Sequence, residues 1–347
     1  MIEESALFSR SAGTERALVT GGAGFIGGGV ARALRAAGVE VRSLSRRVYP
    51  ELESAGIESV AGDLSDRDAV LAAAEGCTIV FHVAALAGFW GDRSAYEETN
   101  ILGTDHVIDA CRTHGIDRLV FTSSPSVTFA GKDQCGVDES EPYPPRFLAD
   151  YPRTKAIAEQ RVRAAADATL ATVSLRPHLV WGPGDPHFLP RLVERARAGK
   201  LKLVGDGSAR VDATFIDNAV AAHLSAAERL LPGAAISGKA YFISNGEPIA
   251  IGELVRKLLA AAGVENPRIG TVSPRIALAA GAILEVLHGR LRRRGEPMIT
   301  RFVARQLSTD HWFNLSNAKR DLGYDPPHTT ESGLELLRAS LSASSDP

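Results

Sequence analysis

Residues 16–45 read RALVTGGAGFIGGGVARALRAAGVEVRSLS, the pattern of a strand, a glycine-rich turn, a helix and a second strand. Apolar residues 17–19 lead into the turn, and Val30 and Leu34 recur at helical spacing until Gly38 ends the helix. Further strand-like segments alternate with helical ones as far as residue 177. This alternation predicts an α/β fold, a doubly wound parallel sheet with helices on both faces.

The predicted organisation is one sheet domain with a second lobe. Residues 1–13 read as a loose tail without the apolar core of a signal peptide. Residues 14–181 plus 212–247 form the sheet domain. Residues 182–211 plus 248–347 form a smaller, mostly helical substrate lobe with no further strong strand. We expect the lobe to cap the sheet edge where ligands bind in such folds.

The composition excludes several classes of function. Hydrophobic residues make up 45% and charged residues 23% of the 347 residues, as in a globular enzyme rather than a disordered chain. The formal charge of −2 and the absence of a basic stripe argue against nucleic-acid binding. Cys77, Cys111 and Cys135 are odd in number and lack CxxC spacing, so we expect reduced thiols in a cytoplasmic protein and no metal site.

The turn TGGAGFIG carries glycines at the spacing that dinucleotide binding requires. Gly21 permits the tight turn, Gly24 lets a pyrophosphate approach the backbone, and Gly27 lets the helix pack closely. Phe25 and Ile26 lie between them at the helix N-terminus, where unsatisfied N–H groups favour an anion. The strand before the turn and the helix after it are the context that distinguishes this motif from an ordinary glycine-rich turn.

The end of the second strand bears on the choice of dinucleotide. An acid there would hold a ribose 2′-hydroxyl, but this chain has Ser45, Arg46 and Arg47, with no acid until Glu51. An arginine can hold a 2′-phosphate through charge-assisted hydrogen bonds. We therefore favour NADP(H), with Arg46 as the contact. NAD(H) stays possible, because both arginines are also compatible with an exposed loop.

The ends of the third and fourth strands supply further candidate contacts. Asp63 is placed to accept a hydrogen bond from the adenine amino group, and Leu64 to pack on the ring. Ala84 and Ala85 are small where a larger side chain would collide with the cofactor. An ordinary loop at each strand end is the alternative.

Tyr151 and Lys155 lie one helical turn apart in DYPRTKAIAEQ, on the same face at the start of a predicted helix. A tyrosine has a pKa near 10, so it keeps its proton at neutral pH and can give it to a ketone oxygen that gains negative charge. A nearby lysine favours the phenolate. Pro152 is compatible with a first helical turn. A tyrosine that only packs at the helix start is the alternative.

Taken together, these motifs resemble a known family. The sequence is similar to the extended short-chain dehydrogenases/reductases over about residues 16–325. The matching stretches are TGGAGFIG (20–27), AGDL (61–64), FHVAA (81–85), TNILGTDHVIDACR (99–112), VFTSSPSV (120–127), YPRTK (151–155) and RPHLVWGPGD (176–185). Three later stretches resemble the 3β-hydroxysteroid dehydrogenase branch, and within it the bacterial 2-alkyl-3-oxoalkanoate reductases of long-chain olefin biosynthesis. These stretches are residues 181–208, 239–248 and 308–324.

The resemblance implies a Rossmann fold, NAD(P) and a Ser–Tyr–Lys site. By the family's pattern the serine is Ser124, with Ser123 as the second candidate. Lys155 and Tyr151 would also contact the nicotinamide ribose. Asn100 matches an asparagine that supports the cofactor region, although it also suits a helix cap. The stretch RPHLV adds three cofactor contacts, which are Pro177, His178 and Val180.

The substrate is a weaker inference than the fold. We expect Phe89, Trp90, Ser126 and Trp181 to face it, and further aromatic wall candidates are Phe129, Phe147 and Phe188. Residues 274–295 form an apolar helix with a cationic end, too short to span a bilayer. That helix is compatible with a membrane surface, a pathway enzyme, a dimer partner or the chain's own core.

The sequence favours an NAD(P)H-dependent reductase of a hydrophobic 3-oxo substrate, best matched by 2-alkyl-3-oxoalkanoates. An NAD-dependent 3β-hydroxysteroid or sterol dehydrogenase is the alternative. A nucleotide-sugar epimerase or reductase is supported only by Arg210, and Ala130 departs from its pattern. A dinucleotide-binding regulator without turnover is disfavoured by the intact Ser–Tyr–Lys set. The resemblance implies a homodimer, and we expect a cytoplasmic protein with a peripheral membrane site as an option.

Overall fold

The computed structural model describes residues 15–290 and 295–343. The predicted tail, and residues 291–294 at the cationic end of the apolar helix, lie outside this described part. The strands are β1 (Arg16–Thr20), β2 (Glu40–Ser45), β3 (Glu58–Ala61), β4 (Ile79–His82), β5 (Arg118–Thr122), β6 (Gln134–Val137), β7 (Ala171–Pro177), β8 (Val180–Trp181), β9 (Lys202–Val204), β10 (Arg210–Val211), β11 (Thr214–Phe215), β12 (Lys239–Ile243), β13 (Ile249–Ala250), β14 (Gly270–Val272) and β15 (His311–Phe313).

Helices connect and flank these strands. They are α1 (Phe25–Ala36), α2 (Pro50–Ser54), α3 (Arg67–Ala74), α4 (Arg93–Tyr96), α5 (Gly103–His114), α6 (Asp150–Ala164), α7 (Phe188–Arg197), α8 (Ile216–Arg229), α9 (Ile251–Ala261), α10 (Pro274–Arg290), α11 (Arg301–Gln306), α12 (Ser316–Leu322) and α13 (Thr330–Ala343). A π-helical turn, Glu97–Leu102, leads into α5, and a 3-10 turn, Pro125–Thr128, follows β5.

Seven strands form the main sheet in the order β3-β2-β1-β4-β5-β7-β12, with every pair parallel. The strand order reverses between β1 and β4, and this reversal opens a crevice at the carboxyl ends of the strands. The doubly wound α/β fold predicted from the sequence is confirmed.

The core lies on both faces of this sheet. Along β1, Ala17 and Val19 pack into one buried cluster while Leu18 packs into the other. Such alternation is what a strand covered on both sides requires, because successive side chains point to opposite faces.

The second half of the chain differs from expectation in one respect. Three short strands, β13 to β15, occur in a region predicted to hold no strong strand. The strands β13, β10, β15 and β6 form a second sheet, and β14 pairs with β9. Each of β13 to β15 has two or three residues, too few for a period-two pattern to register in the sequence.

Candidate active site

The glycine turn between β1 and α1 has no room for side chains. Gly21 has a φ of +71°, and a Cβ there would lie 3.0 Å from the Ala84 Cα. A Cβ on Gly27 would lie 2.2 Å from the Gly21 carbonyl oxygen. Gly24, at the helix N-cap, supplies no side-chain cap to α1. The turn is therefore a backbone cradle at a helix N-terminus, which fits a pyrophosphate.

Gly22 is a further constrained position that the sequence pattern did not single out. A Cβ on Gly22 would meet the Ser43 Oγ at 2.5 Å. The turn therefore presses directly against β2, which brings the cradle close to the strand end that carries the arginines. No spacing rule in the sequence marks this contact, because it depends on how β1 and β2 pair.

The two arginines after β2 lie in different surroundings. The Arg47 guanidinium stacks over the Tyr49 ring, 4.8 Å from its centroid. Arg46 is exposed and lies near Asp63. Hydrogen bonds from Ser65 lower the pKa of Asp63, and the charge of Arg46 lowers it further. Arg46 is thus the arginine that faces the third strand end.

The strand ends place the remaining predicted cofactor residues around the same crevice. Leu64 is buried, and a Cβ on Gly103 would lie 2.7 Å from the Leu64 Cβ. Ala84 and Ala85 are partly buried at the end of β4, beside Gly21. Small residues at these points keep the crevice open.

Helix α6 carries the predicted catalytic pair. Ala149 is its N-cap and Asp150 its first residue. The Lys155 ammonium donates to the Thr122 carbonyl oxygen at 2.6 Å and lies 4.0 Å from the centroid of the Phe121 ring. The lysine is therefore held against the carboxyl end of β5.

Tyr151 keeps its proton in this arrangement. Burial raises the pKa of the Tyr151 hydroxyl, and a hydrogen bond with Ser124 lowers it only in part. The sequence argument expected Lys155 to favour the phenolate, but burial lowers the pKa of Lys155 to about 7 against the opposing charge of Glu159. With its pKa raised, the Tyr151 hydroxyl is suited to donating a proton.

The two strand-end serines have separate surroundings. Ser124 contacts Tyr151, and its Oγ accepts from the Ser126 N–H at 3.2 Å and lies 2.9 Å from the Ser126 Oγ. Ser123 is buried beside Glu159. Of the two strand-end serines, Ser124 is thus the one that contacts Tyr151. Ser126 is buried and supports Ser124, so the prediction that Ser126 faces the substrate gains no support.

A buried ion pair lies one helical turn below Lys155. Arg176 donates two hydrogen bonds to the Glu159 carboxylate, at 2.6 and 2.9 Å, and both side chains are at most 1% exposed. The Tyr143 hydroxyl donates to the same carboxylate at 2.6 Å. Burial raises the pKa of Glu159, but Arg176 outweighs it, with Ser123 and Tyr143 contributing, and the pKa is lowered overall. The sequence analysis missed this pair.

Asn100 braces the site instead of capping a helix. Its side chain is buried, its Oδ1 accepts from the Leu86 N–H at 2.8 Å, and its Nδ2 donates to the Leu86 carbonyl and the Thr154 Oγ1. Both amide hydrogens are therefore engaged by the protein. Asn100 fixes the loop after β4 against α6, so its support of the cofactor region is indirect.

The segment after β7 is held in an unusual backbone geometry. The His178 ring contacts the Asp212 carbonyl through Nδ1 at 2.9 Å, and Leu179 has a φ of +43°. A left-handed conformation at a leucine is strained and persists only where the surroundings impose it. The strain lies between Pro177 and Val180, the predicted cofactor contacts.

An aromatic wall stands over Tyr151. Phe89 meets the Tyr151 ring edge-on at 6.0 Å and stacks on Phe302 at 4.6 Å, and Phe302 in turn meets Phe129. Trp90 is partly buried beside His288 of α10. Phe302 was missed, because an apolar residue in a late helix gives no sign that it reaches the site.

Three other predicted residues fall elsewhere. Trp181 is fully buried in the core against Phe215, so the expectation that it faces the substrate is wrong. Phe188 begins α7 and packs against the same core. Arg210 is exposed and donates to the Pro248 carbonyl oxygen at 3.0 Å.

Comparisons with known proteins agree with this geometry. The model of the 3-beta hydroxysteroid dehydrogenase/isomerase family matches residues 18–272. The chain belongs to this family. It is 54% identical over 330 residues to a 2-alkyl-3-oxoalkanoate reductase of Stenotrophomonas maltophilia, covering 94% of this chain and 99% of the relative. A reductase of the same name from Shewanella oneidensis is 46% identical over 98% of this chain and 89% of its own length.

A solved structure, MoeE5 in complex with UDP-glucose and NAD, superposes with a TM-score of 0.74 at 25% identity. The match covers 95% of this chain and 99% of MoeE5. This 3-beta hydroxysteroid dehydrogenase/isomerase family member is therefore an NAD(P)-dependent oxidoreductase of the extended short-chain dehydrogenase/reductase type. Within the described residues, no helix is long and apolar enough to cross a bilayer.

Among the described residues, four histidine side chains are buried. They predict that the folded protein loses stability in acid. Burial lowers the pKa of His82 and His311 to about 3, and that of His178 and His223 to about 4. Between about pH 4 and 6.5 the unfolded chain binds more protons at these groups, so stability falls as the pH falls through this window. Each imidazole contributes roughly 1.4 kcal/mol per pH unit there.

Urea unfolding at pH 7.5, 6 and 5 measures this loss. Burial raises the pKa of Asp212 to about 6, which acts in the opposite direction, but one carboxyl does not offset four imidazoles. Replacement of the exposed His114 by glutamine is the matched control, because it removes an imidazole and leaves the four buried ones in place. A free energy of unfolding that stays level from pH 7.5 to 5 would contradict the prediction.

Proposed function

We propose that the chain is an NADPH-dependent reductase of the ketone of a hydrophobic 3-oxo substrate. The best-supported substrate is a 2-alkyl-3-oxoalkanoate, reduced to the 2-alkyl-3-hydroxyalkanoate. The observation that carries the proposal is Tyr151, whose hydroxyl contacts Ser124 and has a pKa raised by burial, and whose ring packs edge-on with that of Phe89. The names of the 54% and 46% identical relatives support the choice of substrate.

The chain's own residues divide the work of the reduction. A bound dinucleotide supplies the hydride for the carbonyl carbon. Tyr151 gives its proton to the carbonyl oxygen, and Ser124 donates a hydrogen bond to the same oxygen. Lys155 of α6, whose ammonium reaches the carboxyl end of β5, would hold the ribose and supply positive charge one helical turn from the tyrosine. Phe89 and Phe302 keep water from the reacting atoms and present an apolar surface to the alkyl chains.

One assay decides between the candidate substrates. Oxidation of NADPH and NADH should be followed with long-chain 2-alkyl-3-oxoacids, 3-oxosteroids and UDP-sugars, and reduction of NAD with 3β-hydroxysteroids. We expect turnover with the oxoacids. Turnover confined to UDP-sugars would overturn the proposal.

The second candidate is an oxidative 3β-hydroxysteroid or sterol dehydrogenase that uses NAD. The family match favours it, since that family takes its description from this activity. The raised pKa of Tyr151 disfavours oxidation as the main direction of the reaction, because oxidation needs the tyrosine to accept a proton. Turnover confined to the hydroxysteroids with NAD would establish this alternative.

The preference for NADPH rests on Arg46. Replacing Arg46 by alanine should reduce the ratio of kcat/KM for NADPH to that for NADH by about tenfold or more, through loss of a charge-assisted contact with the 2′-phosphate. Arg47→Ala is the matched control, because Arg47 stacks on Tyr49 and should leave the ratio within about twofold. An unchanged ratio of kcat/KM for NADPH to that for NADH in Arg46→Ala would contradict the proposed contact between Arg46 and the 2′-phosphate.

The remaining proposals concern organisation and location. We propose a sheet domain of residues 14–181 plus 212–247, a substrate lobe of residues 182–211 plus 248–347, and a cytoplasmic homodimer. We further propose that the region 274–295 associates with a membrane surface or a pathway enzyme. The exposed apolar residues of α10 support this association.

A further inference from the structure

The Phe89 ring, which packs against Tyr151, is carried by a loop. Phe89 lies between the end of β4 at residue 82 and the start of α4 at residue 93. The centroid of its ring lies 6.0 Å from that of Tyr151 and 4.6 Å from that of Phe302. Backbone groups of a loop have no ladder partners, so contacts with other elements decide how firmly the loop is held. The position of the aromatic wall therefore depends on what binds this loop.

Two side chains from other elements hold the loop at different points. Asn100 binds both the N–H and the carbonyl oxygen of Leu86, near the start of the loop. Farther along, the Phe89 N–H donates to Oε1 of Glu296 at 3.1 Å. Gly88, with a φ of +118°, makes room for this carboxylate, since a Cβ there would lie 2.5 Å from the same oxygen. Glu296 thus reaches the backbone of the residue that carries the wall.

Glu296 lies in a short strap, residues 295–300, that leads into α11. Thr300 ends the strap as the N-cap of α11 and is 3% exposed. Arg191 of α7 pairs with the Glu296 carboxylate at 3.3 Å, with the two side chains 65% and 32% exposed. Exposed pairs of this kind contribute little free energy, whereas a hydrogen bond from a backbone N–H to a carboxylate is charge-assisted. The bond to Phe89 is thus the contact of Glu296 with the larger expected effect.

The strap and the loop meet where the wall is built. Phe302 follows the strap by two residues and stacks on Phe89. Trp90, next to Phe89, meets the His288 ring of α10 edge-on at 6.3 Å. The strap and the helices on either side of it therefore all contact the same two loop residues. Their position, together with that of the sheet, sets the distance between the Phe89 ring and Tyr151.

We propose that Glu296 is a positioning residue for the reduction, which fixes the Phe89 ring over Tyr151 through the Phe89 N–H and so sets how tightly the site holds the alkyl chains of its substrate. A wall that is in place before binding takes up an alkyl chain without the cost of ordering the loop. Glu296 acts through Phe89, so its effect should grow with the length of the alkyl chains. The role given to those chains rests on the reductase proposed above.

The preference for long chains is the first test. Glu296→Ala should lower kcat/KM for a long-chain 2-alkyl-3-oxoacid by about tenfold, mainly through KM, and that for a short, water-soluble 3-oxoacid by less than about threefold. Glu296→Gln should keep the ratio of the two kcat/KM values within about twofold of wild type, because its amide oxygen still accepts from the Phe89 N–H. Glu194→Ala, at an exposed glutamate of α7, is the matched control and should also keep the ratio.

A double variant tests whether Glu296 acts through the Phe89 ring. In a Phe89→Ala background, Glu296→Ala should change the ratio of long-chain to short-chain kcat/KM by less than about twofold, since the ring to be positioned is gone. A further tenfold loss in the double variant would overturn the inference. So would equal losses with long and short substrates, or a Glu296→Gln variant as impaired as Glu296→Ala.

Fluorescence of Trp90 tests the hold on the loop without turnover. The signal is taken as the difference between each protein and the same protein with Trp90→Phe. Glu296→Ala should shift the Trp90 emission to longer wavelength and increase its quenching by acrylamide, while Glu296→Gln should match wild type. Unchanged emission and quenching in Glu296→Ala would overturn the inference whatever the activity. Failure of wild type to reduce any 3-oxoacid would overturn the proposed reductase, and the Trp90 signal would still show whether Glu296 holds the loop.

Discussion

Replacing Tyr151 with phenylalanine should lower kcat by about 10²–10⁴-fold, the usual range for a general acid. The ring and its contact with Phe89 remain, so only the hydroxyl that contacts Ser124 is removed. Proton delivery to the ketone oxygen is then left to water, which the aromatic wall restricts. The measurement is kcat at saturating NADPH and substrate. Dissociation constants for NADPH should change by less than about threefold.

Tyr143→Phe is the matched control for this change. The Tyr143 hydroxyl donates to Glu159 and supports the ion pair below Lys155, away from the substrate. We expect a loss of kcat below about tenfold, with a modest loss of stability from one hydrogen bond. Near-normal turnover in Tyr151→Phe would assign the proton to another group. Equal losses in both variants would point to a structural effect.

The fold could be predicted from the sequence because backbone requirements leave local marks. The glycines of TGGAGFIG are required by collisions of 2.2 to 3.1 Å that any Cβ at Gly21, Gly24 or Gly27 would make with nearby atoms. A steric requirement of this kind fixes residue type within one turn of chain. The apolar strands at the centre of the sheet, such as β4 and β5, leave similarly local marks, since they are buried on both faces. The three strands after residue 248 left no such mark, because each of them has only two or three residues.

The arrangement of Tyr151 and Lys155 on one helix could be predicted, but the electrostatic surroundings of the two side chains could not. Tyr151 and Lys155 share a helix face by spacing alone. The direction of the Tyr151 pKa depends on burial, and burial depends on elements distant in sequence such as Phe302 and the loop at Phe89. The sequence argument expected Lys155 to favour the phenolate, whereas burial raises the pKa of the Tyr151 hydroxyl. The prediction that Trp181 faces the substrate is wrong for a related reason. An aromatic side chain at a strand end packs equally well into a core or along a pocket.

The Glu159–Arg176 ion pair could not be predicted from the sequence. The two residues are 17 positions apart, one on α6 and one on β7. They meet only because the sheet register places Arg176 under that turn of the helix. Each alone resembles a surface charge in the sequence, yet each is at most 1% exposed. Charged residues are seldom fully buried unless paired, so burial itself is the clue, and the sequence does not contain it.

Arg176→Met should lower the free energy of unfolding by about 3–5 kcal/mol, because it leaves the Glu159 carboxylate buried without its main partner. Urea unfolding at neutral pH measures the loss. The double variant Glu159→Gln with Arg176→Met should recover at least about half of it, since no charge then stays buried. Arg67→Met is the matched control, because its pair with Asp109 is 51% and 41% exposed and should contribute less than about 1 kcal/mol.

The same variants distinguish an ion pair that has only a structural role from one that also changes the pKa of Lys155. Glu159 raises the pKa of Lys155 against the effect of burial. The double variant restores folding but not this negative charge, so the pKa of Lys155 should fall further. The pH at which the cofactor-free protein loses the Lys155 proton then moves down, and kcat/KM falls at a lower pH than in wild type. A recovered fold with an unchanged pH profile would mean that the pair only supports the packing of α6 on β7.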